Sequence, residues 1–265
     1  MHHVNVTKAD VVEGKRERLI DVVAEEGPLH VFLDHTRIIS FLCSPNKLKE
    51  LALGFLFSEG FLHGLNDVKE VRLEDNGRCF VTLKSAVDVE KRLELVQPFG
   101  RLVTSACGSA DLWPFAKLID RIEGLRVKSD AIVSAKVISD CVRRLNSLAE
   151  VYRRTGGVHV ASLNRLDGSL VASAEDVGRH NAVDKVIGAG LLAHVDFGQC
   201  FLALSGRLSW DVVLKCTRAG IPVIASRGAA LSSGVKVARR CRVGLVGFVR
   251  GSRMNIYACP ERVVL

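Results

Sequence analysis

Residues 200–207, Cys-Phe-Leu-Ala-Leu-Ser-Gly-Arg, run five apolar positions straight into a serine, a glycine and an arginine. The pattern returns twice: Val223-Ile224-Ala225 leads into Ser226-Arg227-Gly228, and Val243 through Phe248 leads into Arg250-Gly251-Ser252-Arg253. Strands this short and continuously apolar, separated by helix-length stretches, are predicted to lie parallel in a sheet covered on both faces. In such sheets ligands bind beyond the carboxyl ends of the strands, which is where each of these loops falls. Glycine lets a backbone approach closely and offer its amides, while arginine's planar fork matches phosphate oxygens in pairs. A single arginine would be read as a solvated side chain. Three at successive strand ends predict a crevice for a phosphate-rich ligand such as a nucleotide diphosphate.

Upstream, residues 174–185 read Ala-Glu-Asp-Val-Gly-Arg-His-Asn-Ala-Val-Asp-Lys, a dense polar run at the mouth of an apolar region. Ala182, Val183, Val186, Ile187 and Leu191 recur at helical spacing, so Arg179 and His180 open a buried helix whose free amides favour anions. Asn181, Asp184 and Lys185 share those first turns, where the commoner role of such residues is a capped helix start with satisfied core polars. Before this, strands 158–164 and 170–175 flank Leu166-Asp167-Gly168 as a hairpin. A long amphipathic helix carrying Val137, Cys141, Leu145, Leu148 and Tyr152 precedes them and stops at Gly156-Gly157.

The first half reads as strands and hairpins around one helix. Arg18–Ala24, Leu29–Leu33 and Ile38–Leu42 are β-rich runs; Ser44 and Pro45 open a helix with Leu48, Leu51, Ala52, Phe55 and Leu56 on its apolar face and Gly60 at its end. Asp75-Asn76-Gly77 joins two further strands. The expected architecture is α/β, with a smaller α+β N-terminal domain over residues 1–126 and an α/β ligand-binding domain over 127–265.

With 265 residues and 48% apolar content the chain builds a real core. The start lacks the apolar stretch of a secretory signal, and no run long and uncharged enough for a membrane span occurs, so a cytoplasmic protein is expected. Eight cysteines at irregular spacing, none in a Cys-x-x-Cys pair, fit reduced thiols. Cys43, Cys79, Cys141, Cys200, Cys216 and Cys241 have apolar neighbours and read as small buried hydrophobes. The net charge of +8 is spread without a basic run, and aromatics are only 6%, so no stacking platform for bases is visible and nucleic acid is not an expected partner.

Cys107 stands apart. It lies in Thr104-Ser-Ala-Cys-Gly-Ser-Ala110, small residues that neither bury a thiol deeply nor crowd an incoming partner. Ser109 or Asp111 can cap a following helix with Phe115, Leu118, Ile119 and Ile122 as its stripe, which leaves the thiol near a helix amino end, where its pKa falls and thiolate is favoured.

Together these residues resemble the formate dehydrogenase accessory sulfurtransferase family. The likeness rests on Gly156-Gly-Val-His-Val-Ala161, Glu175-Asp-Val-Gly-Arg-His-Asn-Ala-Val-Asp-Lys185, Ser205-Gly-Arg207, Ala219-Gly-Ile-Pro-Val-Ile-Ala-Ser-Arg227, and Gly247-Phe-Val-Arg-Gly-Ser-Arg253 with Asn255 and Tyr257. What the resemblance implies is a carrier that accepts sulfur from a cysteine desulfurase as a persulfide on Cys107. It passes that sulfur to a molybdenum cofactor, the bis(molybdopterin guanine dinucleotide) form, destined for formate dehydrogenase. The cofactor is cargo, and its implied binding residues are Phe248, Val249, Arg250, Gly251, Ser252 and Arg253. Ser205, Gly206, Arg207, Ser226, Arg227, Arg179 and His180 complete the expected crevice. The second-half order of helix, hairpin, helix and then alternating strands and helices also resembles a cytidine-deaminase-like, three-layer C-terminal domain, and the family likeness implies a homodimer. One departure bears on mechanism: the family often shows Cys-Gly-x-Cys-Gly, whereas Ala110 and Asp111 stand at the second cysteine and the residue after it. A single-cysteine mechanism follows, since a persulfide needs one thiol.

Two rival readings come with this order of elements. A zinc-dependent deaminase needs His-x-Glu or Cys-x-Glu opening one helix and Pro-Cys-x-x-Cys opening the next. Those places read His180-Asn181-Ala182 and Leu208-Ser209-Trp210-Asp211, so no zinc site is expected. A cofactor-holding chaperone would use the same crevice and leave Cys107 idle. His159, beside an apolar strand, reads as a structural histidine.

Overall fold

The computed structural model describes residues 1–84, 122 and 124–265. The Cys107 loop and the expected helix positions Phe115, Leu118 and Ile119 lie outside the described residues.

The chain is mixed α/β, with four sheets among the described residues. In the second half, strands β10 (Cys200–Leu204), β11 (Val223–Ser226) and β12 (Gly244–Arg250) lie side by side and parallel, as the sequence predicts. The antiparallel hairpin β8 (His159–Arg165) and β9 (Leu170–Asp176) extends the sheet on one side, through β8 against β10. Strand β13 (Arg253–Ala258) closes the other side, antiparallel to β12. Period-two alternation sends successive side chains to opposite layers. Leu202, Leu204, Ile224 and Leu245 join one core cluster, Phe201, Ala203, Val223, Ala225 and Val246 another.

The first cluster is covered by helices α4 (Arg179–Leu192), α5 (Trp210–Ala219) and α6 (Ser232–Cys241). The second is covered by α2 (Ala135–Leu148), whose Ile138, Cys141, Val142 and Leu145 face the sheet. The single amphipathic helix expected here is broken at Ala149, and α3 (Glu150–Thr155) follows before Gly156 ends it at φ +66°. Glu175 causes the break: its two carboxylate oxygens accept from the Val151 and Tyr152 amides at 3.0 and 2.8 Å, which caps a new helix start instead of continuing the old one.

In the first half, β3 (Gly27–Leu33), β4 (Thr36–Cys43), β5 (Val68–Glu74) and β6 (Arg78–Leu83) form a sheet in the order β4-β3-β6-β5, with β3 and β6 parallel. Asp75-Asn76-Gly77 makes the β5–β6 turn, with Gly77 at φ +75°. Ahead of this sheet, β1 (His2–Asp10) and β2 (Lys15–Val23) form a separate, largely exposed hairpin that the sequence reading did not include for β1. β7 (Val133–Ser134) and β14 (Val263–Val264) make a short parallel pair that ties the C-terminus to the start of α2.

Helix α1 (Leu48–Ser58) joins the halves. One face packs on the four-stranded sheet through Leu51, Ala52, Phe55 and Leu56. Leu53 and Gly54 are buried as well, because the other face meets α4. A Cβ on Gly54 would stand 1.8 Å from the Asp184 carbonyl oxygen, and one on Gly188 would stand 1.9 Å from that of Glu50. The two backbones touch, which only glycine at both crossings permits. Ile122 and Val127 pack into the core of the six-stranded sheet. No helix among the described residues is long and apolar enough to cross a membrane.

Candidate functional site

The polar run 174–185 divides into two sets of side chains with opposite fates. Asp176, at the end of β9, and Lys185, two turns into α4, are both fully buried and pair at 2.6 Å. Asp176 also accepts from Asn181 Nδ2 at 2.9 Å, from the Gly178 amide at 2.8 Å and from the Ser44 amide at 3.1 Å. Lys185 donates to Ser44 O and Asn46 Oδ1, each at 3.0 Å. The network pins the turn before α1 onto the start of α4. Asp184 belongs to a second network. It accepts from Ser58 Oγ at 2.7 Å and Lys215 Nζ at 2.9 Å, while Glu59 takes Lys215 at 2.8 Å and Arg218 at 3.1 Å. Burial raises Asp184; for Glu59 burial opposes, but Lys215 and Arg218 outweigh it and bring the carboxyl below its usual value. Asn181, Asp184 and Lys185 are thus satisfied core polars, the commoner of the two roles their position allows.

Arg179 and His180 go the other way, to the crevice at the carboxyl ends of the parallel strands. The three loops there touch through their backbones. The Arg227 amide donates to Leu204 O at 3.2 Å and the Phe248 amide to Gly228 O at 2.9 Å. The Ser226 hydroxyl, fully buried, donates to Leu204 O and Gly206 O and accepts from the Gly228 amide, so it shapes the loop. Gly228 has no room for a side chain, since a Cβ there would lie 2.8 Å from Gly206 O, and Gly206 is tightly fitted, with a Cβ 3.1 Å from Arg179 Cβ. Ser205 Oγ accepts from the Val160 amide at 3.1 Å and sits 3.4 Å from His159 Nδ1.

At β12 the register shifts between Gly247 and Arg250, and Phe248 adopts φ +51°, a left-handed conformation that costs a bulky residue of order 1–3 kcal/mol. The bulge adds one residue to the alternation. Val246 and Val249 consequently fall on the same side, both in the core beneath α2, while Phe248 and Arg250 stay exposed. Val249 is core, so of this stretch it is the neighbours that reach solvent. The Arg250 guanidinium stacks over the Phe248 ring at 5.6 Å. Gly251 and Ser252 form a tight turn between paired Arg250 and Arg253, with Gly251 O held by Ser139 Oγ at 2.6 Å.

Arg207, Arg227 and Arg253 are exposed, and among the described residues nothing accepts a hydrogen bond from their guanidiniums. Arg179 Nε is buried and likewise finds no acceptor. His159 faces this cluster: burial first, then the charges of Arg179, His180 and Arg207, hold its ring toward the neutral form. His180 Nε2 lies 2.6 Å from Asp211 Oδ2, at the start of α5. Sequence reasoning did not identify Asp211; its signal is Ser209-Trp-Asp211 at a helix start, which reads equally as an ordinary cap.

Seven cysteines are described, and each thiol is raised by burial: Cys43 and Cys79 to about 11, and Cys141, Cys200, Cys216, Cys241 and Cys259 above their ordinary value. None of the seven is set up as a thiolate. Among the described residues no group of three or more His, Cys, Asp or Glu side chains could hold a metal ion.

Comparison with known proteins agrees with this architecture. A profile of the FdhD/NarQ family matches residues 24–264. The sulfur carrier protein FdhD of Sulfolobus acidocaldarius is 37% identical over 258 residues, 96% of each chain. That of Anaeromyxobacter sp. strain K is 40% identical over 264 residues, covering 92% of this chain and 89% of the relative. A crystal structure from Desulfotalea psychrophila, described as a formate dehydrogenase accessory protein, superposes over 99% of both chains with a TM-score of 0.78 at 28% identity. With the profile spanning nearly its whole length, the chain belongs to the FdhD/NarQ family.

Proposed function

We propose that this protein is a sulfur carrier for formate dehydrogenase maturation: it takes sulfur from a cysteine desulfurase onto Cys107 and delivers it to bis(molybdopterin guanine dinucleotide) molybdenum cofactor held in the crevice. The observation that carries the reading is the meeting of three arginine-bearing strand ends, with no acceptor for the Arg207, Arg227 and Arg253 guanidiniums among the described residues. Exposed arginines gathered at the strand ends suit the two pyrophosphates of such a substrate. Relatives named as sulfur carriers support the same role.

In the transfer step the Cys107 thiolate attacks the outer sulfur of the desulfurase persulfide. The sulfur–sulfur bond breaks, the donor cysteine leaves as thiolate, and the outer sulfur changes carrier with no net oxidation. The other seven thiols, raised by burial, cannot compete at neutral pH. Arg207, Arg227, Arg250 and Arg253 with Arg179 and His180 bind the phosphates, while Phe248, Gly251, Ser252, Ser205, Gly206 and Ser226 shape the crevice around them. Alongside this we read the second half as a cytidine-deaminase-like domain over 127–265 following an N-terminal domain over 1–126, in a cytoplasmic homodimer.

Mass spectrometry after incubation with a desulfurase and cysteine tests the carrier role: Cys107 gains one sulfur atom. An unmodified Cys107 beside a modified Cys259 rejects it. Cys107→Ala separates carrier from cofactor-holding chaperone, since a chaperone variant would still bind guanosine diphosphate and still activate formate dehydrogenase.

A further inference from the structure

The loops after β10 and β11 leave the sheet together and are tied to each other again before either reaches its helix. At the strand ends the Arg227 amide donates to Leu204 O at 3.2 Å. Farther along, the Leu208 amide donates to Ala229 O at 2.9 Å and the Leu231 amide to Leu208 O at 3.0 Å, and Leu208 pairs with Ala230 as a parallel bridge. Arg207 and Arg227 lie between these ties, one on each loop, with both side chains exposed. The two loops thus form an eyelet closed at both ends, and each arginine rises from one side of it.

Ser226 holds the inside of the eyelet. Its side chain is fully buried, and one hydroxyl reaches both loops. The hydroxyl hydrogen faces Leu204 O at 3.0 Å and Gly206 O at 2.5 Å, while the oxygen accepts from the Gly228 amide at 2.9 Å. Beside it the backbones are in contact, since a Cβ on Gly228 would lie 2.8 Å from Gly206 O and 3.3 Å from Ser205 O. Solvent does not reach the hydroxyl, so its removal leaves Gly206 O and the Gly228 amide to find other partners by moving. Such a move carries the arginines with it, because Arg207 follows Gly206 and Arg227 joins Ser226 to Gly228. Gly228 O also accepts from the Phe248 amide at 2.9 Å, so the glycine that Ser226 fixes holds the third strand end as well.

We infer that Ser226 is a positioning residue that sets the spacing of Arg207 and Arg227, so that the pair takes both phosphates of one diphosphate, whereas a monophosphate gains from only one arginine. The ligand in this inference rests on the proposed function; the tie between the loops rests on the hydrogen bonds alone. Once one phosphate is bound, a linked second phosphate meets a guanidinium already in place, and that contact is made without a further loss of freedom. Arginines on loops that drift apart give up this advantage for a diphosphate and cost a monophosphate nothing.

The test uses the full chain at about pH 8, above the second ionisation of a terminal phosphate. Wild type is expected to prefer guanosine diphosphate over guanosine monophosphate by roughly tenfold. In Ser226→Ala diphosphate affinity should fall roughly tenfold while monophosphate affinity changes by less than about twofold, so the preference disappears. Because Ser226 acts through the arginines, adding Ser226→Ala to Arg227→Ala should lower diphosphate affinity by less than about twofold further. Without ligand, amide exchange at Gly228 should rise at least about tenfold in Ser226→Ala, with Ile224 inside β11 unchanged. Unchanged exchange at Gly228 overturns the inference whatever the nucleotides do. So does a diphosphate preference that survives Ser226→Ala, or a loss that simply adds to that of Arg227→Ala. Raised exchange in a protein whose wild type binds neither nucleotide leaves the tie standing, and removes the proposed crevice ligand and the selectivity together. If Ser226→Ala does not fold, Ser226→Cys keeps the side chain in place with weaker hydrogen bonds, and a wild-type diphosphate preference in that variant overturns the inference by itself.

Discussion

Two regions four residues apart on the same helix use charge in opposite ways. At Asp184 and Lys185 every ionised group meets its counter-ion out of water, and Glu59, Asp184, Lys215 and Arg218 sum to zero. At Arg179 and His180, among the described residues, only Asp211 brings a carboxylate into contact, and Arg207 and Arg227 stand exposed beside them. The difference separates charges spent on holding the fold from charges left exposed at the rim of the crevice. A buried pair contributes little net stability beyond what an apolar pair would, but losing one member is severe. An unpaired cation at a rim can be removed with little effect on folding.

The sharpest way to break this contrast is Lys215→Met, which leaves Glu59 and Asp184 buried together without their shared cation. A loss of about 3–5 kcal/mol is expected in urea denaturation. A loss under 1 kcal/mol would mean that the inner network is as dispensable as the rim. Next in size is Gly188→Ala, whose methyl has no space against Glu50 O; helix separation should cost about 3 kcal/mol. If the variant instead gains stability from better helix propensity, the backbone crossing is looser than described.

On the rim, Arg227→Ala and Arg207→Ala should each weaken guanosine diphosphate binding roughly tenfold, about 1.4 kcal/mol, with the urea midpoint unchanged. Equal losses of binding and stability would erase the distinction between the two regions. The smallest effect is with pH. Burial pulls Lys215 down, but Asp184 and Glu59 raise it to about 12. Because the folded chain holds this proton more tightly than the unfolded one, the contribution is complete below the unfolded value of 10.5 and fades as pH climbs through about 12. Denaturation midpoints taken across that window should decline in wild type and in Arg227→Ala alike, and lose this component in Lys215→Met.

Much of this was legible from local pattern. The parallel strands declare themselves by short apolar runs ending in Ser, Gly and Arg, and the buried cysteines by their apolar neighbours. What escaped the sequence depends on distant partners. Leu53 and Gly54 look like the outer side of α1 until α4 is known to lie against them. Ala149 gives no hint of a helix break, because the residue that causes it, Glu175, comes from a different hairpin. Asp211 is an ordinary first-turn acid unless His180 is known to sit opposite. The bulge that sends Val249 inward follows from Phe248 in a left-handed conformation, which nothing in Gly-Phe-Val-Arg announces.

The glycine-to-backbone crossing of α1 and α4 also bears on how the molecule can move. Helices in backbone contact cannot slide past one another by repacking side chains, so the four-stranded sheet, α1 and α4 form one stiff lever. Any opening or narrowing of the crevice must then come from the strand-end loops and the β12–β13 turn, with the helix that bears Arg179 and His180 serving as the anvil against which they shift.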